Sequence, residues 1–151
     1  MMTLAFLSVE TGCALPDLDP MKYRSASSPE KIAAANADFV RLSDIFSIVS
    51  RPSSYAGMDR VERLNMASET RRLGVESGHP KAAGLALDIF NVMKSDGDEF
   101  VRKEVAHGFC WVGSMNRPQA RKAAAAMKKM MNDPDEIIRV VAAECIASLK
   151  P

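Results

Sequence analysis

Residues 133–149, DPDEIIRVVAAECIASL, decide the fold once two earlier stretches are laid under them: 96–113, DGDEFVRKEVAHGFCWVG, and 59–74, DRVERLNMASETRRLG. The three align on Asp59, Asp98 and Asp135. An arginine follows four residues later in each, at Arg63, Arg102 and Arg139. An apolar residue stands two after the Asp (Val61, Phe100, Ile137), an alanine eight after it (Ala67, Ala106, Ala143) and an apolar residue fourteen after it (Leu73, Val112, Leu149). Gly74 and Gly113 close the first two copies. Asp59 and Asp98 are 39 residues apart, and Asp98 and Asp135 are 37 apart. The preceding segments repeat as well, with 86–95, ALDIFNVMKS, lying over 123–132, AAAAMKKMMN, at the same offset of 37. Self-similarity at this period marks a chain built from stacked supersecondary units.

Working outward, each unit reads as two helices. Ser28-Pro29-Glu30 is a helix start, with a hydroxyl N-cap, proline in the first turn and an acid at the positive dipole end. From Ile32 the apolar positions 32, 35, 39, 42, 46 and 49 keep helical spacing. Arg51-Pro52 ends that run, because the residue before proline avoids the helical region. The predicted helices lie near 30–50, 59–74, 80–95, 98–113, 118–132 and 135–149. Residues 51–58 read as a Pro/Ser/Gly loop and 1–28 as irregular. No segment alternates with period two, so the fold class is all-α.

The Asp-x-x-x-Arg pattern with its alanine-rich continuation and terminal Leu/Val-Gly resembles the second helix of HEAT-type repeats. The resemblance covers roughly residues 30–150. It implies a short right-handed α-solenoid of about three antiparallel helix pairs, with units at about 29–78, 79–115 and 116–151. First helices would line the outer side and second helices the inner side. It also implies a structural ladder in which Asp98, Arg102, Asp135 and Arg139 link neighbouring units. Independently of the family, each Asp can satisfy N–H groups at its helix start, and small Ala106 and Ala143 allow close helix approach. Residues 1–28, carrying Leu4, Phe6, Leu7 and Val9, are expected to cap the first pair or form an arm, since those apolar side chains favour burial.

The chain has 151 residues, 20 Lys plus Arg against 19 Asp plus Glu, and 47% hydrophobic residues. The near-zero balance excludes a nucleic-acid protein defined by net charge, though not a local basic patch. No apolar run reaches the ~18 residues of a membrane helix, and no basic residue precedes the apolar start. The three cysteines, Cys13, Cys110 and Cys145, are odd in number and irregularly spaced, without a CxxC or His/Cys cluster. They read as reduced, mostly buried thiols, so the expected location is cytoplasmic, with no metal and no cofactor.

For function, the richest constellation is a stripe on the second helices. Phe100, Glu104, His107 and Trp111 share one helix face. Equivalent positions are Asn65, Ser68 and Arg72 in the preceding unit and Val141, Glu144 and Ser148 in the following one. Nine of these, Asn65, Ser68, Arg72, Glu104, His107, Trp111, Val141, Glu144 and Ser148, make a candidate partner-binding patch, with tryptophan and arginine, the types enriched at hot spots. A second constellation is basic: Arg117, Arg121, Lys122, Lys128 and Lys129, with no acid between them, a candidate anion or nucleic-acid contact. It lacks interleaved aromatics. His107 and Glu104 can be read as an acid/base pair and Cys110 as a thiol nucleophile. But no phosphate loop, HExxH motif or nucleophile–base arrangement accompanies them, so no catalytic residue is assigned. The expected function is a non-catalytic protein-binding module: adaptor, accessory subunit or inhibitor. The alternatives are nucleic-acid binding through the basic helix and a HEAT-like lyase or other enzyme. Ten methionines make a homodimer conceivable as well.

Overall fold

A computed structural model describes residues 28–149. The expected N-terminal cap or arm lies outside the described residues, as do Cys13 and the apolar cluster at 4–9. Among the described residues the fold is all-α: α1 (Pro29–Val49), α2 (Pro52–Ala56), α3 (Arg60–Glu76), α4 (Ala82–Met93), α5 (Glu99–Met115), α6 (Arg117–Met130) and α7 (Glu136–Ser148).

The helix starts follow the residues read as caps. Ser28 Oγ accepts the Lys31 amide, with Pro29 in the first turn. Asp59 and Glu62 form a reciprocal capping box. Asp98 Oδ1 accepts the amides of Phe100 and Val101, and Asp135 Oδ1 those of Ile137 and Ile138. Each carboxylate satisfies donors that the helix leaves unpaired and places negative charge at the positive dipole end.

Two expectations are corrected. Residues 51–58 are not all loop, since Pro52–Ala56 form α2. Pro52 stands in its first turn, and the Tyr55 hydroxyl donates to Asp96 Oδ2 in the α4–α5 turn, which anchors it. Burial, then that hydrogen bond, pushes the Tyr55 hydroxyl far above its usual pKa. The second correction concerns Gly74 and Gly113, which do not end their helices: α3 runs on to Glu76 and α5 to Met115. Neither has the positive φ of a glycine cap. They serve close approach instead. A Cβ on Gly74 would lie 2.6 Å from the Ala86 methyl, and one on Gly113 would lie 2.6 Å from the Ala123 methyl. Ala86 and Ala123 are themselves 37 residues apart, so the same helix crossing is built twice.

The helices pack in two layers. In one, α1 contacts α4 and α4 contacts α6; in the other, α3 contacts α5 and α5 contacts α7. Leu42, Ile45 and Val49 of α1, Leu87, Phe90 and Met93 of α4, Val101, Val105 and Phe109 of α5, Met127 of α6 and Ile138 of α7 fill the space between. Phe90 and Phe109 pack tilted with centroids 5.5 Å apart, and Phe90 lies against Gly108, where any side chain would collide with its ring.

An arginine–aspartate rung recurs at the turns. Arg102 donates from Nε to Asp133 Oδ2 (2.8 Å) and from Nη2 to Oδ1 (3.1 Å), while its Nη1 holds the Asp96 carbonyl of its own turn (2.9 Å). One unit earlier, Arg63 Nε stands 3.0 Å from Asp96 Oδ2 and Nη1 donates to the Met58 carbonyl. The acceptors are therefore Asp96 and Asp133, two residues before the Asp98 and Asp135 expected for the ladder. Those two are occupied as N-caps, and Asp98 also takes Arg60 from α3. Asp96 and Asp133 each accept the amide two residues on through Oδ1, which fixes the carboxylate that receives the arginine. Burial works against ionisation of Asp133, but the Arg102 hydrogen bond, the Asp135 amide and the charges of Arg102 and Arg139 outweigh it and hold the carboxyl below its usual pKa.

Candidate functional site

Repeat spacing places four positions per helix on one side of α3, α5 and α7. They are Val61, Asn65, Ser68 and Arg72 on α3; Phe100, Glu104, His107 and Trp111 on α5; and Ile137, Val141, Glu144 and Ser148 on α7. The first position of each set is apolar yet open to solvent: Val61 is 61% exposed, Phe100 50% and Ile137 55%. The Arg60 guanidinium lies 5.0 Å from the Phe100 ring centroid.

In the middle of the face, α3 and α5 are joined by polar contacts. Ser68 Oγ donates to Glu104 Oε1 (2.9 Å), and Arg71 Nη2 stands 3.2 Å from the same oxygen. The Arg71 guanidinium also lies 5.8 Å from the Trp111 ring centroid. Arg71 thus links Glu104 to Trp111, holding a planar cation against an aromatic ring. His107 is half-buried between charged neighbours. Burial lowers its pKa, Lys103 and Arg71 add to the effect and Glu104 opposes it, so its imidazole is neutral near pH 7.

The structure therefore brings Ser68, Glu104 and Trp111 into one network. Arg72 is not in that network and pairs with Glu76 on its own helix at 3.7 Å. Asn65 and Glu144 are exposed, and Val141 is partly buried against the core. Ser148 Oγ donates to the Cys145 carbonyl (2.8 Å) and lies 4.0 Å from Cys110 Sγ. Sequence reasoning missed Arg71, because only its neighbour Arg72 falls on the repeated stripe. It also left Val61, Phe100 and Ile137 out of the nine-residue patch, although the two-after-Asp position had already marked them.

Cys110 and Cys145 form a disulfide with Cα atoms 5.5 Å apart, tying α5 to α7. This corrects the reading of both as reduced thiols. Their α-carbons meet because Cys110 and Cys145 sit on the facing sides of two helices of equivalent units, which irregular sequence spacing conceals.

Of the basic set, Arg117, Arg121, Lys128 and Lys129 are exposed on α6, while Lys122 Nζ is held by Asp88 Oδ1 of α4 at 2.7 Å. Lys129 also faces Lys94 of the α4 C-terminus, whose pKa is lowered by burial and then by that like charge. Among the described residues no group of His, Cys, Asp or Glu is placed to hold a metal ion, and no helix is long and apolar enough to cross a membrane. In comparisons with known proteins, no family model, no curated protein and no solved structure matches this chain.

Proposed function

We propose that the protein is a non-catalytic protein-binding module, an adaptor, accessory subunit or inhibitor, working through the exposed face of α3, α5 and α7. In this reading the helices form a short right-handed HEAT-like solenoid and that face is its inner side. The recurring Arg–Asp rungs and the twice-built Gly–Ala crossing support the stacked arrangement. The single observation that carries the function is the row Val61, Phe100 and Ile137, three large apolar side chains open to solvent on one face. An apolar residue left open at the same position of three equivalent helices is the kind of surface that interaction sites use. Trp111 with its Arg71 partner supplies an aromatic anchor, and Glu104, Glu144 and Arg72 supply a polar rim. The disulfide supports a non-catalytic role, since it leaves neither Cys110 nor Cys145 as a thiolate.

The test is capture of partners from a native lysate by wild type, Phe100→Glu and Trp111→Ala, with and without nuclease. The reading expects a stoichiometric protein that survives nuclease and is lost with both variants. Loss on nuclease treatment, with affinity falling steeply as salt rises, would move the function to Arg117, Arg121, Lys128 and Lys129. We place the protein in the cytoplasm for this purpose. The disulfide stands against that placement, because disulfides persist mainly in oxidising compartments, and thiol counting on freshly extracted protein decides between them.

A further inference from the structure

Among the described residues the last rung is Arg102–Asp133. Arg139 clamps its own turn as Arg102 does, with Nη1 donating to the Asp133 carbonyl (2.8 Å) and the Pro134 carbonyl (2.9 Å). Its guanidinium is therefore held in the orientation that lets Arg102 seize a carboxylate with Nε and Nη2. Among the described residues no carboxylate meets that edge of Arg139. Asp133 feels its charge, but both Asp133 oxygens are already taken by Arg102.

Burial shows the same break. Ala67 and Ala106 are 0% exposed. Ala143, their equivalent on α7, is exposed, as are Val140 and Ala147 beside it. This strip lies on the side of α7 where α5, one unit earlier, receives the next helix. Val140, Ala143 and Ala147 make its middle apolar and small, Glu136 and Glu144 border it, and it ends in a preset guanidinium.

We infer that the outward side of α7, Arg139, Val140, Ala143 and Ala147, is a docking surface for a partner helix pair whose inter-helix turn carries a free aspartate. The chemistry of the partner follows from the rungs already formed. Asp96-Gly97-Asp98 and Asp133-Pro134-Asp135 are the two turns that such an arginine grips here: the first aspartate takes the arginine and the second caps the following helix. A second copy of this chain does not fit, because Asp96 and Asp133 are each already held, by Arg63 and Arg102. Bidentate arginine–carboxylate pairing adds geometric selectivity to the apolar contact.

The test supplies the missing unit. In the full chain, residues 113–149 are repeated directly after Leu149, giving α7 a helix pair with an unclaimed aspartate turn. The expected result is one cooperative unfolding transition, with Tm raised by about 5 °C and helical signal from the added unit. Arg139→Gln should abolish most of that gain. Exchanging the charges, with Arg139→Asp and arginine at the added copy of Asp133, should restore it. An added unit that melts separately, or a gain indifferent to Arg139→Gln, would overturn the inference. So would concentration-dependent dimerisation of the unextended chain abolished by Val140→Glu, which would make a second copy the occupant.

Discussion

α5 and α7 are the same helix written twice, and their difference shows what a neighbouring unit does to a sequence. Both begin with a capping aspartate and carry an arginine that clamps its own turn. In α5 that arginine also grips the next unit, and Ala106 disappears beneath it. In α7 the equivalent arginine ends at its own turn and Ala143 stays open. One pattern yields a core contact in the first case and a surface in the second. What decides is the presence of a partner carboxylate and helix, not the local residues.

Breaking the rung should give the largest contrast. The Arg102 and Asp133 side chains are only 11% and 6% exposed. Arg102→Ala strands a buried carboxylate and is expected to cost about 3–5 kcal/mol. Arg139→Ala loses two carbonyl hydrogen bonds and a weaker charge interaction with Asp133, leaves that carboxylate paired with Arg102, and should cost about 1–2 kcal/mol. Chemical denaturation of both variants measures the difference, and equal losses would erase the distinction drawn between the two helices.

The Cys110–Cys145 bridge joins those helices across 35 residues of sequence. Reducing it is expected to lower stability by about 2–4 kcal/mol. Thiol titration of the unfolded protein should find two more thiols after reduction than before it; an unchanged count of three would mean the bridge is not made. Next in size is Gly108, which sits under the Phe90 ring. Gly108→Ala should cost about 1–3 kcal/mol by overpacking, whereas Gly97→Ala, with nothing within 4 Å, should be close to neutral.

Acid sharpens the comparison further. The folded pKa of Asp133 lies below that of the unfolded chain, so its contribution is complete above the unfolded value, about 3.9. That contribution is lost as pH falls through the folded one. Asp133→Asn should therefore lower stability at pH 7 and flatten the acid limb of the stability curve. The smallest effects belong to the caps: Asp98→Ala and Asp135→Ala should each cost about 0.5–2 kcal/mol. Asp98 should stand at the upper end, because it also holds Arg60.

The helices and their caps were legible because periodicity and capping are local. Asp98, Arg102 and Ala106 recur at fixed offsets, and α5 begins where they say. What stayed hidden depends on which helix lies opposite. Asp96 and Asp98 are equally plausible acceptors for an arginine by spacing, and only the turn geometry assigns the inter-unit rung to Asp96. Gly74 and Gly113 look like helix ends, yet they are contact points whose meaning lies in Ala86 and Ala123. Pro52-Ser53-Ser54-Tyr55 reads as loop composition until Tyr55 finds Asp96. The binding face was legible as a stripe, but Arg71, one residue off it, required the position of the Trp111 ring.

The claim that the exposed face of α3, α5 and α7 binds a protein is tested most directly by the affinity of Phe100→Glu for the captured partner, measured beside the wild type at equal thermal stability. Phe100 is half exposed and outside the core, so the fold should tolerate the change. The account predicts at least about tenfold weaker binding, the loss expected of an interface anchor. Unchanged affinity in a variant with an unchanged Tm would contradict it.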